Sequence, residues 1–190
     1  MSNFANVINQ KIKPLVIDNF LEKQTFQEMK NHMFGLNFNW FYNNSIDFAD
    51  DLNKFQFTHT FYRENVGVNS EDYSILSSII AKLNIKNTIR IKANLLTKTF
   101  DIVKNKLHVD VYNQLMKHIN ENEPFLNYKT AIFYMNTNNG YTEFEDGSIV
   151  ESVENRMVIF PSEISHRGTS CTDENVRVVI NFNYIDIENG

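Results

Sequence analysis

Apolar residues recur along this chain with two different periods. Phe26, Met29 and Met33 fall at i, i+3 and i+7 among polar neighbours, which predicts an amphipathic helix packed on a core and ending near Gly35. Leu76, Ile79, Ile80 and Leu83 repeat the pattern behind Ser70-Glu71-Asp72, a capping residue followed by first-turn acids, and predict a second helix. Elsewhere the period is two. Ile12 to Asp18, Asn37 to Tyr42 and Lys54 to Tyr62 read as strands, the last alternating Phe55, Phe57 and His59 with Gln56, Thr58 and Thr60. From Thr88 onward strands dominate: Ile89 to Leu96, a stretch ending at Asp110, Lys129 to Asn136, Ile149 to Val153, Met157 to Phe160 and Val176 to Tyr184. Turn signals separate them at Asn138-Asn139-Gly140, Asp146-Gly147 and Pro161. Many short strands after two helices predict a mainly β fold, a double-stranded β-helix (a cupin-like jelly roll) with N-terminal helices packed on one sheet.

Composition narrows the picture. The 190 residues, 42% hydrophobic with 16 Phe and 8 Tyr, suit one domain spanning 1–190, with a supporting region over about 1–87 and a core over about 88–186. A net charge of −5 leaves no basic footprint for nucleic acid. Cys171 is the only cysteine, which excludes an internal disulfide and a Cys-based zinc site. No run approaches the ~18 apolar residues of a membrane span, and Met1 to Gln10 lacks the pattern of a signal peptide, so the expectation is a soluble, cytoplasmic protein. Thirteen lysines against five arginines, with abundant Asn, suggest an A+T-rich genome, that of a bacterium or its virus. Nothing indicates an oligomeric state.

The candidate chemistry centres on Lys106-Leu107-His108-Val109-Asp110. On an extended strand residues i and i+2 share a face, so His108 and Asp110 can reach one metal. With five histidines and 23 acidic residues, one such pair is expected by chance about as often as not. His166 follows 58 residues later and Arg177 another 11 beyond, inside an apolar strand. Two imidazoles and one carboxylate on one face of a divalent ion form the facial triad of non-haem iron sites. Each residue also has a plainer role: a satisfied strand histidine, a turn-forming Asp, an Arg bridging a surface acid. His32, His59 and His118 lack an acid two places on and read as structural.

From about Ile89 to Tyr184 the chain resembles the 2-oxoglutarate-dependent Fe(II) oxygenases, in particular the prolyl 4-hydroxylase-like branch. The resemblance lies in the His108, Asp110 and His166 set, the strand Thr130 to Asn136, the turn Asn139 to Phe144, and Asn155 to Phe160 leading into His166. It implies Fe(II) held by His108, Asp110 and His166, with 2-oxoglutarate, O2 and ascorbate, a candidate reductant, as co-reactants. It also implies cosubstrate contacts from Arg177, Tyr134, Thr142 and Asn94, in that order. The implied reaction is hydroxylation of an unactivated C–H bond in a prolyl or other peptide residue, a free amino acid or another small molecule, with release of succinate and CO2. Three positions depart from the pattern. Asn139 stands where relatives often have a glycine and is expected to tolerate a left-handed turn, while Leu96 and Val179 replace a tyrosine and a hydroxyl residue. Trp40, Tyr42, Tyr62, Arg63 and Tyr112 are candidates for the substrate entrance, and Asn43 to Asp51 reads as a lid or a solvated connection. The alternatives are a non-catalytic cupin-like metal- or ligand-binding module, and a structural protein in which the triad is coincidence.

Overall fold

The computed structural model describes residues 13–46, 54–110 and 127–186. In chain order the elements are β1 (Leu15–Ile17), α1 (Lys23–Met33), β2 (Phe41–Asn43), β3 (Gln56–Arg63) and β4 (Gly67–Val68). A 3-10 turn at Glu71–Leu76 leads into α2 (Ser77–Lys82). Then come β5 (Asn87–Thr97), β6 (Tyr128–Tyr134), β7 (Tyr141–Phe144), β8 (Ile149–Glu151), β9 (Arg156–Pro161), β10 (His166–Gly168) and β11 (Val176–Ile185). A large antiparallel sheet runs β1-β9-β6-β11-β5-β3-β2 with β4 on β3, and a smaller sheet runs β10-β7-β8. The two sheets facing one another make the expected double-stranded β-helix.

The period-two pattern sorts the large sheet into two faces. Ile91 and Ala93 of β5, Ala131 and Phe133 of β6, Met157 of β9, and Val178, Ile180 and Phe182 of β11 point outward and form one core with Phe26, Met29 and Met33 of α1 and Leu76 and Ile79 beside or within α2. Phe133 sits at the centre, edge-on to Phe20 and Phe26 with ring centroids 6.0 and 5.9 Å away. Each fully buried Phe or Met stabilises by about 1.5–3 kcal/mol, so this outer layer is a principal part of the fold's stability. The opposite face looks into the barrel, where Ile132, Tyr134, Val158, Phe160 and Val179 meet Phe144 and Val150 of the small sheet.

The seam between helices and barrel is fixed by Asn155, whose φ of 59° is left-handed. Its carbonyl accepts from Phe20 N at 2.8 Å, its Oδ1 from Leu21 N at 2.8 Å, and its Nδ2 donates to Leu21 O at 2.9 Å.

Several elements differ from expectation. The second helix is split: Ser70 Oγ accepts from Asp72 N at 3.0 Å and caps a 3-10 turn, with the α-helix starting only at Ser77. The first strand is the short Leu15–Ile17, and the second begins at Phe41 rather than Asn37. The stretch ending at Asp110 is not a regular strand. It meets the other side of the barrel through isolated bridges Lys104 to Thr169 and His108 to His166. Four steps on one side match three on the other, so one extra residue breaks the ladder. Asn139 is not left-handed; among the described residues other than glycine, positive φ occurs at Asn19, Asn84 and Asn155 instead. Its turn is held by Asn139 N to Asp173 Oδ1 at 3.0 Å and by an exchange of bonds with Thr172. Among the described residues no helix is long and apolar enough to cross a membrane.

Candidate metal centre

His108 and His166 face each other because their backbones exchange two hydrogen bonds, each 2.9 Å long, which puts the ring centroids 4.7 Å apart. His166 Nδ1 lies 3.1 Å from Ile164 O, and His108 Nδ1 lies 3.3 Å from Lys106 O. A carbonyl can only accept, so each Nδ1 donates there, and Nε2 is the ring nitrogen turned toward Asp110. Asp110 follows in a turn, its carboxylate 3.9 Å from each Nε2. One ligand atom from each of the three lies within 4.8 Å of the others, near enough for small side-chain rotations to bring all three onto one ion.

Electrostatics suit a divalent cation. Burial acts to raise the Asp110 carboxyl, but the Arg90 guanidinium, the two imidazoles and the Asn183 hydrogen bond prevail and hold it well below the usual carboxylate range. Burial pushes the His166 imidazole below its ordinary value, against the pull of Asp110, which favours the neutral form a metal needs. Phe160 packs edge-on against the His166 ring at 4.8 Å and keeps it from turning.

A second polar cluster lies deeper. Arg177 is 3% exposed; its Nε donates to Ser152 Oγ at 2.8 Å, its Nη2 to Thr142 Oγ1 at 3.4 Å, and its Cζ stands 5.7 Å from the centre of the Tyr134 ring. Tyr134 Oη donates to Thr142 Oγ1 at 2.8 Å. Among the described residues no carboxylate is bonded to this cation, and burial lowers its pKa from the ordinary value. An uncompensated buried guanidinium costs several kcal/mol unless an anion joins it. Gly140 makes room for the side chain: a Cβ there would stand 2.7 Å from Arg177 Cδ. A Cβ on Gly168 would lie 3.4 Å from Arg177 Nη1. Gly168 is two residues along β10 from His166, roughly 7 Å of strand.

The structure therefore brings His108, Asp110 and His166 together, and Arg177, Tyr134 and Thr142 together. Asn94 makes no bond to either group. It faces the barrel opposite Val179, and Asn94 Oδ1 and Asn181 Oδ1 are the buried side-chain acceptors without a partner among the described residues. Of the entrance candidates, Trp40 donates to Met33 O at 3.3 Å and packs with Tyr62 against the helical core, away from the barrel. Tyr42 is exposed on β2, and Tyr112 lies outside the described residues. His32 pairs with Asp72, and His59 bridges Asn39 O and Ser70 Oγ; His118 and residues 47–51 of the proposed lid are also outside the described residues. Sequence reasoning missed Arg90, Asn183 and Ser152. A signal for Asn183 was present: with Arg177 and Asn181 it interrupts the otherwise apolar and largely buried strand β11.

No family model matches the sequence, and no curated protein does. Solved structures match over nearly the whole chain. A prolyl hydroxylase from Trichoplax adhaerens, in complex with a hypoxia inducible factor peptide fragment, is 14% identical over 91% of this chain and 83% of its own, with a TM-score of 0.56. A 2OG-Fe(II) oxygenase family oxidoreductase from Burkholderia pseudomallei is 8% identical over 92% and 86%, TM-score 0.57. The non-heme alpha ketoglutarate dependent epimerase SnoN of nogalamycin biosynthesis is 10% identical over 91% and 78%, TM-score 0.59. The chain thus has the jelly-roll fold of the 2-oxoglutarate/Fe(II) oxygenases, prolyl hydroxylases among them, and carries a His-Asp-His triad.

Proposed function

We propose that this protein is a 2-oxoglutarate- and Fe(II)-dependent dioxygenase that hydroxylates an unactivated C–H bond. The observation that carries the reading is Arg177: a buried cation, without a carboxylate partner among the described residues, set against Gly168, two residues along β10 from His166 of a His-Asp-His triad. A pure metal-binding barrel has no use for it.

His108, Asp110 and His166 would hold Fe(II), a donor set of two neutral imidazoles and one carboxylate that leaves one face of the ion open. Bound iron and 2-oxoglutarate supply the oxidation: O2 is consumed, one oxygen enters the substrate C–H bond, and the other enters succinate as CO2 leaves. Arg177 would grip the far carboxylate of 2-oxoglutarate with its guanidinium fork. Tyr134 and Thr142 present hydroxyls to the same carboxylate, and Asn94 offers an amide from the sheet floor. The wall around them is apolar, Ile132, Val158, Phe160 and Val179, which excludes water from the oxidation.

The fold neighbour in complex with a peptide supports a prolyl or other peptide residue as substrate, with a free amino acid as the smaller version of the same chemistry. The test is Fe(II)-dependent conversion of 2-oxoglutarate to succinate, with mass spectrometry of candidate peptides and amino acids for a gain of one oxygen. Wild type should turn over, and His108→Ala and Asp110→Ala should not. Succinate formation that persists in both variants would refute the proposal.

A further inference from the structure

The Asp110 carboxylate is held from outside the triad by a closed ring of hydrogen bonds. Arg90 Nη2 donates to Oδ1 at 3.0 Å, Asn183 Nδ2 donates to Oδ2 at 3.0 Å, and Arg90 Nε donates to Asn183 Oδ1 at 3.1 Å. The ring sets its own polarity. The amide oxygen of Asn183 meets a guanidinium, which only donates, and its nitrogen meets a carboxylate, which only accepts.

The fold builds the ring from one row across three strands. Arg90 of β5 is the direct cross-strand partner of Asn183 of β11, which is in turn the partner of Thr130 of β6. The pairing of β11 with β5 shifts register just after Asn183. Asn183 Nδ2 also donates to Thr130 Oγ1 at 3.1 Å, and Thr130 shares a 2.9 Å bond with Ser162. Asn183, Thr130 and Ser162 are all fully buried, so the row is anchored in the sheet and shielded from water.

We infer that Arg90 and Asn183 are positioning residues for the metal centre, locking the Asp110 carboxylate in one orientation by engaging each of its oxygens. The inference rests on reading His108, Asp110 and His166 as metal ligands. With a donor on each oxygen, the carboxylate cannot turn about its Cβ–Cγ bond without breaking both bonds, while each oxygen keeps a second lone pair for an ion. The ring therefore fixes the plane in which Asp110 presents those lone pairs to the metal. It also sets the ligand before any metal arrives, so binding demands little reorganisation. The Arg90 side chain is 32% exposed, against 5% for Asp110, so it is the member of the ring that reaches solvent.

The experiment is calorimetric titration of the full-length protein with Mn(II), together with the visible absorption spectrum of the Co(II) form, which reports coordination number. Arg90→Met should weaken Mn(II) binding about 10- to 100-fold, the usual effect of removing an outer partner of a ligand. It should also change the Co(II) spectrum as the freed carboxylate turns to a new orientation at the ion. Arg90→Lys, which keeps the charge but not the fork, should recover only part of the loss. Arg90→Met combined with Asn183→Leu should cost less than the product of the single losses, because both remove the same ring. Asn183 is fully buried, and Arg90→Met carries the test if the Asn183 variant does not fold. Arg90→Met that binds Mn(II) within threefold of wild type, with an unchanged Co(II) spectrum, overturns the positioning role alone. A wild-type protein that takes up neither metal overturns the metal-centre reading along with it.

Discussion

Arg177→Met offers the sharpest test of the proposed cosubstrate site, because it should cut ligand affinity sharply while costing little or no protein stability. The guanidinium is 3% exposed and, among the described residues, bonds only hydroxyls, Ser152 Oγ at 2.8 Å and Thr142 Oγ1 at 3.4 Å. In the ligand-free protein its removal gives up two hydrogen bonds, at about 1 kcal/mol each. Against this stands relief from holding an unpaired charge in a dry interior, a penalty of several kcal/mol. A methionine fills much the same space, so folding stability should fall by no more than about 1 kcal/mol and can rise. Binding behaves otherwise. Truncating one partner of a buried, hydrogen-bonded charge pair costs about 2–5 kcal/mol. At about 1.4 kcal/mol per factor of ten, that is roughly a 30- to 4,000-fold loss of 2-oxoglutarate affinity. The assay is chemical denaturation for stability, and calorimetry of 2-oxoglutarate binding to the Mn(II) form under nitrogen for affinity. If the variant binds 2-oxoglutarate within threefold of wild type, or loses several kcal/mol of ligand-free stability, the account of Arg177 as an anion receptor is wrong.

Three further outcomes are expected. Gly140→Ala would place a Cβ 2.7 Å from Arg177 Cδ and from Ser170 O, and 2.8 Å from Asn138 Oδ1, so it should cost about 1–3 kcal/mol in a denaturation melt and weaken 2-oxoglutarate binding by displacing Arg177. Asn155→Ala and Asn155→Gly both lose the bonds to Leu21, but only glycine accepts a φ of 59° freely, so the glycine variant should be the more stable by about 1 kcal/mol. Burial and the nearby Asp186 push the Tyr184 phenol up to about 12. The unfolded chain releases that proton near pH 10 while the folded chain keeps it. This contribution to stability is thus full below pH 10 and is lost as pH rises from 10 toward about 12, which denaturation across that range would show together with late phenolate absorbance at 295 nm.

Much of this molecule is legible without coordinates because the relevant periods are strong. The α1 face of Phe26, Met29 and Met33 and the alternation along β5 and β11 survive translation into three dimensions, and His108, Asp110 and His166 come together in one cluster. What could not be read depends on contacts between distant segments. The stretch leading to His108 is not a regular strand because a one-residue mismatch between its bridges at Lys104 and His108 interrupts the ladder, and no local pattern announces such a mismatch. Arg90 looks like an ordinary surface residue of an alternating strand until register sets it beside Asn183 and Asp110. Trp40 looked suited to a substrate entrance, yet the sheet turns it toward Met33 and the helical core. Asn139 needs no left-handed backbone, since Thr172 and Asp173 supply its turn with partners from 33 and 34 residues away.

The Asn155 clasp on Phe20 and Leu21 bears on how small a working version of this protein can be made. Every residue proposed for chemistry lies after Asn87, which invites trimming the chain to its second half. Such a fragment would bare Phe133, Met135, Met157, Val178, Ile180 and Phe182 as one greasy slab and unpair the outer edge of β5, where β3 belongs. Surfaces of that kind stick to one another, and truncations starting near residue 88 should be recovered as aggregate, whereas supplying the missing half as a separate chain should restore solubility.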